Sequence, residues 1–307
     1  MVTLVGVQGF EPWTPCSQSR CATRLRYTPL RSILTASKAR VFCAVIYFLL
    51  RLASTFSSVP KPTPTLPWIE PGDPFPAVEV AWGAGSNAPG LLAAGGDLSV
   101  NTLQNAYSKG IFPWFSDGQP NLWWTPDPRM ILEVANFRLH SSLRKTLKQF
   151  TRNAHCEVRF DTAFERVIRN CAEMSRRGQP GTWILPPMVE AYIRLHAAGH
   201  AHSVETWVDG QLVGGLYCVA LGKAIFGESM FAMAPDASKI ALAALVGFCR
   251  EHGIALIDCQ QNTAHLASLG ATEVPRSVFL AHIRLVQSSV PVDWRFSPLY
   301  WNHILSA

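Results

Sequence analysis

Residues 202–220, HSVETWVDGQLVGGLYCVA, decide the fold class of this chain. Two runs rich in β-branched and aromatic residues flank Asp209-Gly210, a dipeptide typical of two-residue hairpin turns because both positions accept positive φ angles. The segment KAIFGES, residues 223–229, continues the pattern as a third strand. These residues predict an antiparallel sheet in the second half of the chain.

Helical patterns surround the predicted sheet. Ser99 is the predicted N-cap and Gly110 the predicted stop of a helix between them. Asp161 is the predicted N-cap of a later helix. Further helices are expected over residues 141–152, 186–199 and 237–252, and a short apolar strand over residues 254–258. The order of elements predicts an α+β fold with a mainly antiparallel sheet.

The composition allows a large buried core and excludes several classes of protein. The chain has 307 residues, of which 48% are hydrophobic, so collagen-like and wholly disordered proteins are excluded. It carries 27 Lys and Arg against 21 Asp and Glu, a net charge of +6. All of this excess lies in residues 1–60, because the remaining residues hold equal numbers of bases and acids. The net charge alone therefore does not predict a nucleic-acid partner.

Three interpretations of the basic N-terminal segment stay open: a targeting peptide, a disordered arm, or a translation that begins too early. Residues 9–12, Gly-Phe-Glu-Pro, are what the DNA run GGTTCGAACC encodes, and this run resembles the T-arm of a tRNA gene. The apolar run Val41–Leu50 is too short for a membrane span, which needs about 20 residues. We expect residues 1–64 to be a disordered or spurious extension, and we expect no membrane partner.

Cysteine and histidine usage predicts a cytoplasmic protein without a metal. The cysteines outside the extension stand singly, with no C-x-x-C pair, which is typical of thiols in a reducing compartment. His196 and His200 have the i, i+4 spacing of zinc ligands on a helix. Gly199 ends the predicted helix and no acid or cysteine completes the set, so we interpret these histidines as packing or capping residues.

Two polar sites on the predicted strands are candidates for chemistry. Asp258 and Gln260 stand two residues apart at the end of a buried strand, so regular alternation sends both side chains to one side and Cys259 to the other. Glu228 and Ser229 interrupt an apolar strand, and buried polar groups need partners. The alternatives are a capping Asp258 that closes the turn and a solvated Glu228 at a strand end.

A glycine pair and a basic stretch suggest two further classes of ligand. Residues 211–216, QLVGGL, nearly match the pyrophosphate loop of acyl-CoA transferases, but the run continues as a strand and Leu216 stands where Gly or Ala is expected. Residues 138–177 hold ten bases and four acids just after a tryptophan-rich stretch. A basic face beside aromatic planes is suited to an unpaired nucleic-acid end, although a solvated helix face is the alternative.

Several consecutive motifs resemble one family. They occur in order as GLLAAGGDLS, YSKGIFPWFSDG, LWWTPDPR, GTWI, GHAHSVE, LVGGLY, FGESMF, DASK and LIDCQ, followed by HLASLGA and PR. Together they are similar to the leucyl/phenylalanyl-tRNA–protein transferase family over about residues 75–280. Cys218 and Ala232 stand where that family usually has Gly and Ser, and we expect these departures to narrow or reshape the pocket that selects among Leu, Phe and Met.

The resemblance implies an activity and a fold. The family moves Leu or Phe, and less well Met, from an aminoacyl-tRNA to the N-terminal Arg or Lys of a protein, which marks that protein for N-end-rule degradation. The implied fold is a small N-terminal domain, here residues 65–135, and an acetyltransferase-like (GNAT-like) C-terminal domain, here residues 136–307. No cofactor or metal is implied, and we expect a monomer.

The resemblance also implies the site residues. Asp258 polarises Gln260, which assists removal of a proton from the attacking amine, and Asp258 favours the cationic acceptor. The substrate-binding residues are Glu228, near the amine of the aminoacyl group, and its neighbour Ser229. Trp114 and Trp183 form walls around the terminal adenosine, and Phe226 and Met230 line an apolar pocket. The acceptor stem is held by basic residues, which are Arg138, Arg144, Lys145, Lys148 and Arg152.

Two alternatives stay open at this point. One is a CoA-dependent N-acyltransferase, and the other is an RNA-binding protein without catalytic activity. Transfer of labelled leucine from charged tRNA to an Arg-initiated peptide distinguishes both of them from the activity that the resemblance implies.

Overall fold

The computed structural model describes residues 65–174 and 184–306, so the predicted extension and Trp183 lie outside the described residues. The described residues from 66 onward form one compact unit. The described strands are β1 (Trp68–Ile69), β2 (Leu91–Gly95), β3 (Phe112–Pro113), β4 (Leu122–Trp124), β5 (Arg129–Glu133), β6 (Cys156–Phe160), β7 (Ala201–Val208), β8 (Gln211–Leu221), β9 (Ala224–Ala232), β10 (Leu256–Gln260) and β11 (Thr272–Val274). The described α-helices are α1 (Val100–Ser108), α2 (Ser141–Phe150), α3 (Phe164–Glu173), α4 (Pro186–Ala197), α5 (Ala237–Glu251), α6 (Ala264–Ser268), α7 (Arg276–Val286) and α8 (Asn302–Leu305).

A seven-stranded sheet in the order β11-β5-β10-β9-β8-β7-β6 forms the body of this unit. Its neighbouring strands are antiparallel except β9 and β10, which are parallel and are joined through α5. The hairpin predicted from Asp209-Gly210 is confirmed, since β7 and β8 pair along their length and the two turn residues have φ angles of 50° and 71°. The predicted α+β class is therefore confirmed.

A smaller sheet, in the order β1-β2-β4-β3, is formed by the residues before β5. Strand β5 itself belongs to the large sheet, where it pairs with β10 and β11. The proposed division of the chain near residue 135 stays a prediction. What the structure adds is that Arg129, at the start of β5, lies inside the large sheet.

The large sheet is covered on both faces by apolar side chains. One core contains residues of α1, α3, α4 and α7. The other core contains residues of α2, α5 and α8. Helix α5 buries most of its length in the second core, as expected for a helix that is apolar almost all round. A sheet buried on both faces gives the strand ends near α1 and α4 a desolvated environment.

The ends of two helices test the capping predictions. The Ser99 hydroxyl accepts a hydrogen bond from the backbone N–H of Thr102, which confirms it as the N-cap of α1. The prediction for Asp161 is wrong, because its carboxylate accepts from the backbone N–H of Ser203 and contacts His202 instead. The carboxylate at the start of α3 is that of Glu205 from the neighbouring strand, which accepts from the backbone N–H groups of Thr162 and Ala163.

Packing requires a glycine at position 214 of β8. A Cβ on Gly214 would clash with Ala237 at the start of α5. We expect Gly214→Ala to destabilise the protein by about 1–3 kcal/mol, the cost of overpacking a filled interior. Urea unfolding measures the loss, and Gly85→Ala is the control, because a Cβ there meets no atom within 4 Å. Equal stability of the two variants would contradict the close approach of α5.

Candidate active site

The candidate polar residues meet where β10 ends beside β9. Asp258 lies opposite Phe226 of β9 and Ile131 of β5. Glu228 follows two residues further along β9, and Gln260 is the last residue of β10. The topology of the sheet therefore brings two carboxylates and one amide from separate parts of the sequence to one place.

Asp258 is bound to a buried arginine. Arg129 donates from Nε to Oδ1 at 2.8 Å and from Nη2 to Oδ2 at 2.6 Å, and both side chains are 0% exposed. Charge-assisted bidentate pairs of this kind are strong and fix the geometry of both partners. The charge of Asp258 is thus compensated inside the protein, and its carboxylate does not meet solvent.

A β-bulge aims Glu228 into the site. Tyr217 of β8 lies opposite Ser229 of β9. The next residue of β8, Cys218, lies opposite Gly227. Glu228 is the extra residue between these two pairs, and bulges of this kind redirect a side chain out of the regular alternation.

A second bulge lies at the end of β10. Asp258 pairs with Ile131 and Gln260 pairs with Met130, so Cys259 is the extra residue. Gln260 has a φ angle of 61°, and its backbone N–H donates to Asp258 Oδ1 at 3.0 Å. The expected regular alternation is therefore wrong here. The two side chains still belong to one site, because the left-handed turn brings Gln260 back toward Glu228.

Glu228 accepts hydrogen bonds from three side chains. Tyr107 of α1 and Gln260 donate to Oε1, each at 2.8 Å. Tyr192 of α4 donates to Oε2 at 3.3 Å. The hydroxyls of Tyr107 and Tyr192 also contact each other, and because each carries a single proton, one of them donates to the other only in place of donating to Glu228. This arrangement holds a half-buried carboxylate in one orientation on an interior strand of the sheet, beside the end of β10.

Burial raises the pKa of Glu228 to about 8, and the nearby charge of Asp258 adds to this rise. The hydroxyl donors and the Arg129 charge oppose the rise in the pKa. Burial and the charge of Glu228 hold the pKa of Tyr107 and of Tyr192 well above 10. The tyrosines therefore remain donors, whereas Glu228 exchanges a proton near neutral pH, as groups that move protons in catalysis do.

The aromatic residues predicted to bind adenosine are described only in part. Trp114 is half-buried, its ring centroid lies 5.3 Å from that of Trp124, and its carbonyl accepts from Trp124 Nε1 at 2.6 Å. Trp183 lies outside the described residues. The role of these two tryptophans therefore stays a prediction.

The residues predicted to line one apolar pocket lie on opposite faces of the sheet. Phe226 is fully buried in the first core, where its ring lies 5.0 Å from that of Tyr107. Met230 packs against the second core. Ser229 is buried beside the bulge. Because the bulge at Glu228 reverses the alternation, the structure does not bring Phe226 and Met230 together.

The basic residues proposed for the acceptor stem are mostly exposed. Lys145, Lys148 and Arg152 lie on or just after α2, and Arg138 precedes it. Arg144 differs from them, because it is half-buried and donates from Nη1 to the carbonyl of Leu305 at 3.1 Å. Arg144 therefore ties α2 to the C-terminal segment, and the exposed lysines are the better candidates for phosphate contacts.

The segment compared with an acyl-CoA loop is part of a strand. Gly214 of β8 pairs with Thr206 on one side and with Ala232 on the other. The N–H groups of this segment therefore belong to the ladder of the sheet, whereas a phosphate loop needs them pointing at the ligand. This geometry weighs against the CoA-dependent alternative.

Neither a metal cluster nor a membrane-spanning helix occurs within residues 65–174 and 184–306. No group of three His, Cys, Asp or Glu side chains in these ranges is placed to hold a metal ion. His196 Nδ1 contacts the carbonyl of Ala201 at 2.7 Å, and its ring stacks on Phe164. None of the helices in this part of the chain is both long and apolar enough to span a bilayer.

Three residues of the site escaped the sequence predictions. Tyr107 and Tyr192 lie in helices that the sequence predicts, but nothing in the sequence assigns either tyrosine to the site. Arg129 precedes the buried run Met-Ile-Leu of β5, and a lone arginine beside such a run is the one local signal of a buried ion pair. All three belong to the site through contacts with residues more than 30 positions away in the sequence.

Comparison with known proteins identifies the chain's relatives. A family model described as leucyl/phenylalanyl-tRNA protein transferase matches residues 131–284, and a model of that protein's N-terminal domain matches residues 96–127. A leucyl/phenylalanyl-tRNA–protein transferase from Polaromonas sp. is 61% identical over 81% of this chain and 96% of its own length. The protein of the same name from Albidiferax ferrireducens is 59% identical over 79% of this chain and 96% of its own length.

Comparison with solved structures gives less information about this chain than comparison with its sequence relatives. A chain described as L-PGS from Bacillus licheniformis is 14% identical and covers 66% of this chain and 65% of its own, with a TM-score of 0.31. A TM-score this low carries no argument about fold or function. The sequence relatives and the matched family model show that this chain belongs to the leucyl/phenylalanyl-tRNA–protein transferase family.

Proposed function

We propose that the chain moves leucine or phenylalanine, and methionine less well, from an aminoacyl-tRNA to the N-terminal Arg or Lys of a protein. The acceptor would thereby be marked for N-end-rule degradation. Two relatives, 61% and 59% identical to this chain, are named for the leucyl and phenylalanyl transfer. The observation that carries the proposal is the carboxylate of Glu228, held by Tyr107, Tyr192 and Gln260 beside Asp258.

The reaction needs one bond to form and one to break. The α-amine of the acceptor attacks the ester carbonyl on the terminal ribose, a C–N bond forms and the C–O bond to the ribose breaks. The amine loses a proton and the departing ribose oxygen takes one. A free α-amine titrates near pH 7.7–8.0, about where Glu228 does, so proton exchange between them is nearly balanced. Holding both substrates in place supplies much of the rate.

We propose that Gln260 and Glu228 are the groups that touch the reacting atoms. Gln260 Nε2 donates to Glu228, which leaves the amide oxygen of Gln260 as an acceptor for the attacking amine. Asp258 binds the backbone N–H of Gln260 and does not contact its side chain in the manner the resemblance implies. We therefore propose that Asp258 acts on both substrates through the position of Gln260, since its own carboxylate is buried.

The fold supports the same proposal. We propose a GNAT-like arrangement for residues 136–307, supported by the antiparallel run β6-β7-β8-β9 and by the helical crossover to parallel β10. Aromatic walls at Trp114 and Trp183 and an apolar pocket that includes Phe226 remain part of the proposal. We propose that the chain works as a monomer in the cytoplasm, without a cofactor or metal.

The exposed lysines of α2 predict a salt-dependent contact with the acceptor stem. Replacing Lys145 and Lys148 together with alanine should weaken tRNA binding. It should also lower the slope of log K against log salt by about one unit for each phosphate that a lysine no longer neutralises. Filter binding over a range of salt concentrations measures this slope. Arg144→Ala should instead act mainly on stability, because Arg144 is engaged with Leu305.

A matched control for the lysine pair is Arg169→Ala. Arg169 is also an exposed base, but it is paired with Glu165 and Glu190. Its replacement should leave the salt slope unchanged. If the lysine pair and Arg169 change the slope equally, or if neither changes it, the acceptor stem contacts another surface.

One assay separates the proposal from its two alternatives. The full chain is incubated with tRNA charged with labelled leucine, an Arg-initiated peptide and, in parallel, acetyl-CoA. We expect label on the peptide from the tRNA and no consumption of acetyl-CoA. Acetylation without transfer from tRNA would favour the CoA-dependent enzyme, and tRNA binding without either reaction would favour a non-catalytic RNA-binding protein.

A further inference from the structure

We propose that Arg129 is a positioning residue for the transfer reaction, holding Asp258 and the aromatic segment after α1 in a fixed relation. This inference rests on the function proposed above. It assigns a role to a residue that stands in the motif LWWTPDPR but for which the resemblance implied no function. Arg129 touches no reacting atom and acts through the groups that it holds.

Each of the three guanidinium nitrogens of Arg129 donates a hydrogen bond. Nε and Nη2 bind the two oxygens of Asp258, and Nη1 donates to the carbonyl of Gly110 at 3.1 Å. The centre of the guanidinium lies 5.0 Å from the ring centroid of Phe112 and 4.6 Å from that of Phe279. One fully buried side chain therefore connects β10, the loop after α1 and α7.

The Gly110 contact joins two sides of the site. Gly110 has a φ of 70°, and a Cβ there would approach Phe279 Cε1 at 3.2 Å, so the loop is held close against α7. The chain runs from Gly110 through Phe112 to Trp114, the predicted adenosine wall. On the other side, Asp258 fixes the backbone of Gln260. A shift of Arg129 would therefore change the distance between the adenosine end and the attacking amine.

Lysine cannot reproduce these contacts. An ammonium group is a compact charge on a flexible stem, whereas the planar guanidinium binds a carboxylate with two parallel N–H bonds and stacks on aromatic rings. Arg129→Lys preserves the charge that balances Asp258 but loses the bidentate geometry. Small displacements of this kind cost about 10²-fold in rate when two substrates must be aligned.

A second, partly buried arginine provides the control that distinguishes a positioning role from a merely structural one. Arg250 donates to the carbonyl of Val134 from Nε and Nη2, and to that of His303 from Nη1, without contacting the site. Arg250→Lys should lower the melting temperature and leave turnover of the folded protein unchanged. Arg129→Lys should lower kcat for transfer by about 10- to 100-fold at temperatures where circular dichroism finds the chain folded. The KM for charged tRNA should change little.

A double variant of Arg129 and Asp258, compared with the two single variants, provides a further test. If Arg129 acts through Asp258, Arg129→Lys combined with Asp258→Asn should be no slower than the slower single variant, because coupled residues are non-additive. Wild-type kcat in folded Arg129→Lys would overturn the proposal. So would a double variant in which kcat falls by the product of the two factors measured for the single variants. A wild-type chain that transfers nothing would instead overturn the proposed function.

A second variant covers the case in which Arg129→Lys does not fold. Phe279→Leu keeps an apolar side chain under the guanidinium but removes the ring that orients it. We expect kcat to fall several-fold, with the KM for charged tRNA unchanged. Wild-type kcat in folded Phe279→Leu, together with an unfolded Arg129→Lys, would mean that Arg129 is needed for folding alone, which contradicts the proposal.

Discussion

Replacement of Asp258 with alanine is expected to lower transfer by about 10² to 10⁴-fold, the range found for groups that place or assist proton transfer. Without Asp258 the backbone of Gln260 loses its hydrogen bond and the guanidinium of Arg129 loses its partner. Single-turnover transfer from charged tRNA to an Arg-initiated peptide measures the loss. Binding of tRNA should be largely retained, because the exposed basic residues do not contact Asp258.

The same substitution should also affect stability. A buried charge left without its partner costs about 3–5 kcal/mol, so Asp258→Ala has to be assayed well below its melting temperature. Asp161→Ala is the matched control, since Asp161 binds His202 and the backbone of Ser203 away from the site. It should lose stability but keep its turnover. Wild-type turnover by folded Asp258→Ala would refute the role of Asp258.

Replacement of Glu228 with glutamine should change the pH dependence of transfer. Glu228 titrates near pH 8 beside Tyr107, Tyr192, Asp258 and Arg129, and only its ionised form accepts a proton. The acceptor amine also has to be deprotonated, so two ionisations control kcat/KM in the wild type. We expect log kcat/KM to rise by about two units per pH unit on the acid side, and by about one in Glu228→Gln.

The pH dependence of protein stability measures the ionisation of Glu228 independently of the transfer reaction. Folding raises the pKa of Glu228 from 4.5 to about 8, so the folded chain binds this proton more tightly than the unfolded chain does. The contribution of Glu228 to stability therefore falls as the pH rises from about 4.5 to about 8. Glu228→Gln should remove that fall, and thermal unfolding across this range measures it.

Glu133→Gln is the control for both measurements. Glu133 is exposed and accepts from Asn136 outside the site, so its replacement should leave the pH profiles unchanged. Identical slopes in the wild type and Glu228→Gln would mean that Glu228 does not take the proton. The bulge at Glu228 would then serve only to bind the aminoacyl group.

Local patterns in the sequence predicted the elements of the fold well. The Asp209-Gly210 turn, the Ser99 cap and the helix of residues 237–252 depend on neighbouring residues, and the structure confirms them. The cap of α3 was assigned to the wrong residue, because the carboxylate comes from Glu205 on another strand. No local signal marks a cap that is supplied across the fold.

The candidate site was predicted only in part for the same physical reason. Asp258, Gln260 and Glu228 interrupt apolar strands, and that local signal identified them. Two bulges, which alternation alone does not reveal, set where their side chains point. Arg129 and Tyr107 reach the site from 129 and 121 positions away, so only the folded chain identifies them as partners.

Mass spectrometry of the peptide after incubation with the full chain tests the proposed function most directly. With tRNA charged with leucine or phenylalanine, a peptide that begins with Arg should gain one leucyl or phenylalanyl residue, bonded to its N-terminal α-amine. A peptide of the same sequence that begins with Ala should gain nothing. An Arg-initiated peptide of unchanged mass, or one modified only on a side chain, would contradict the function proposed for this site.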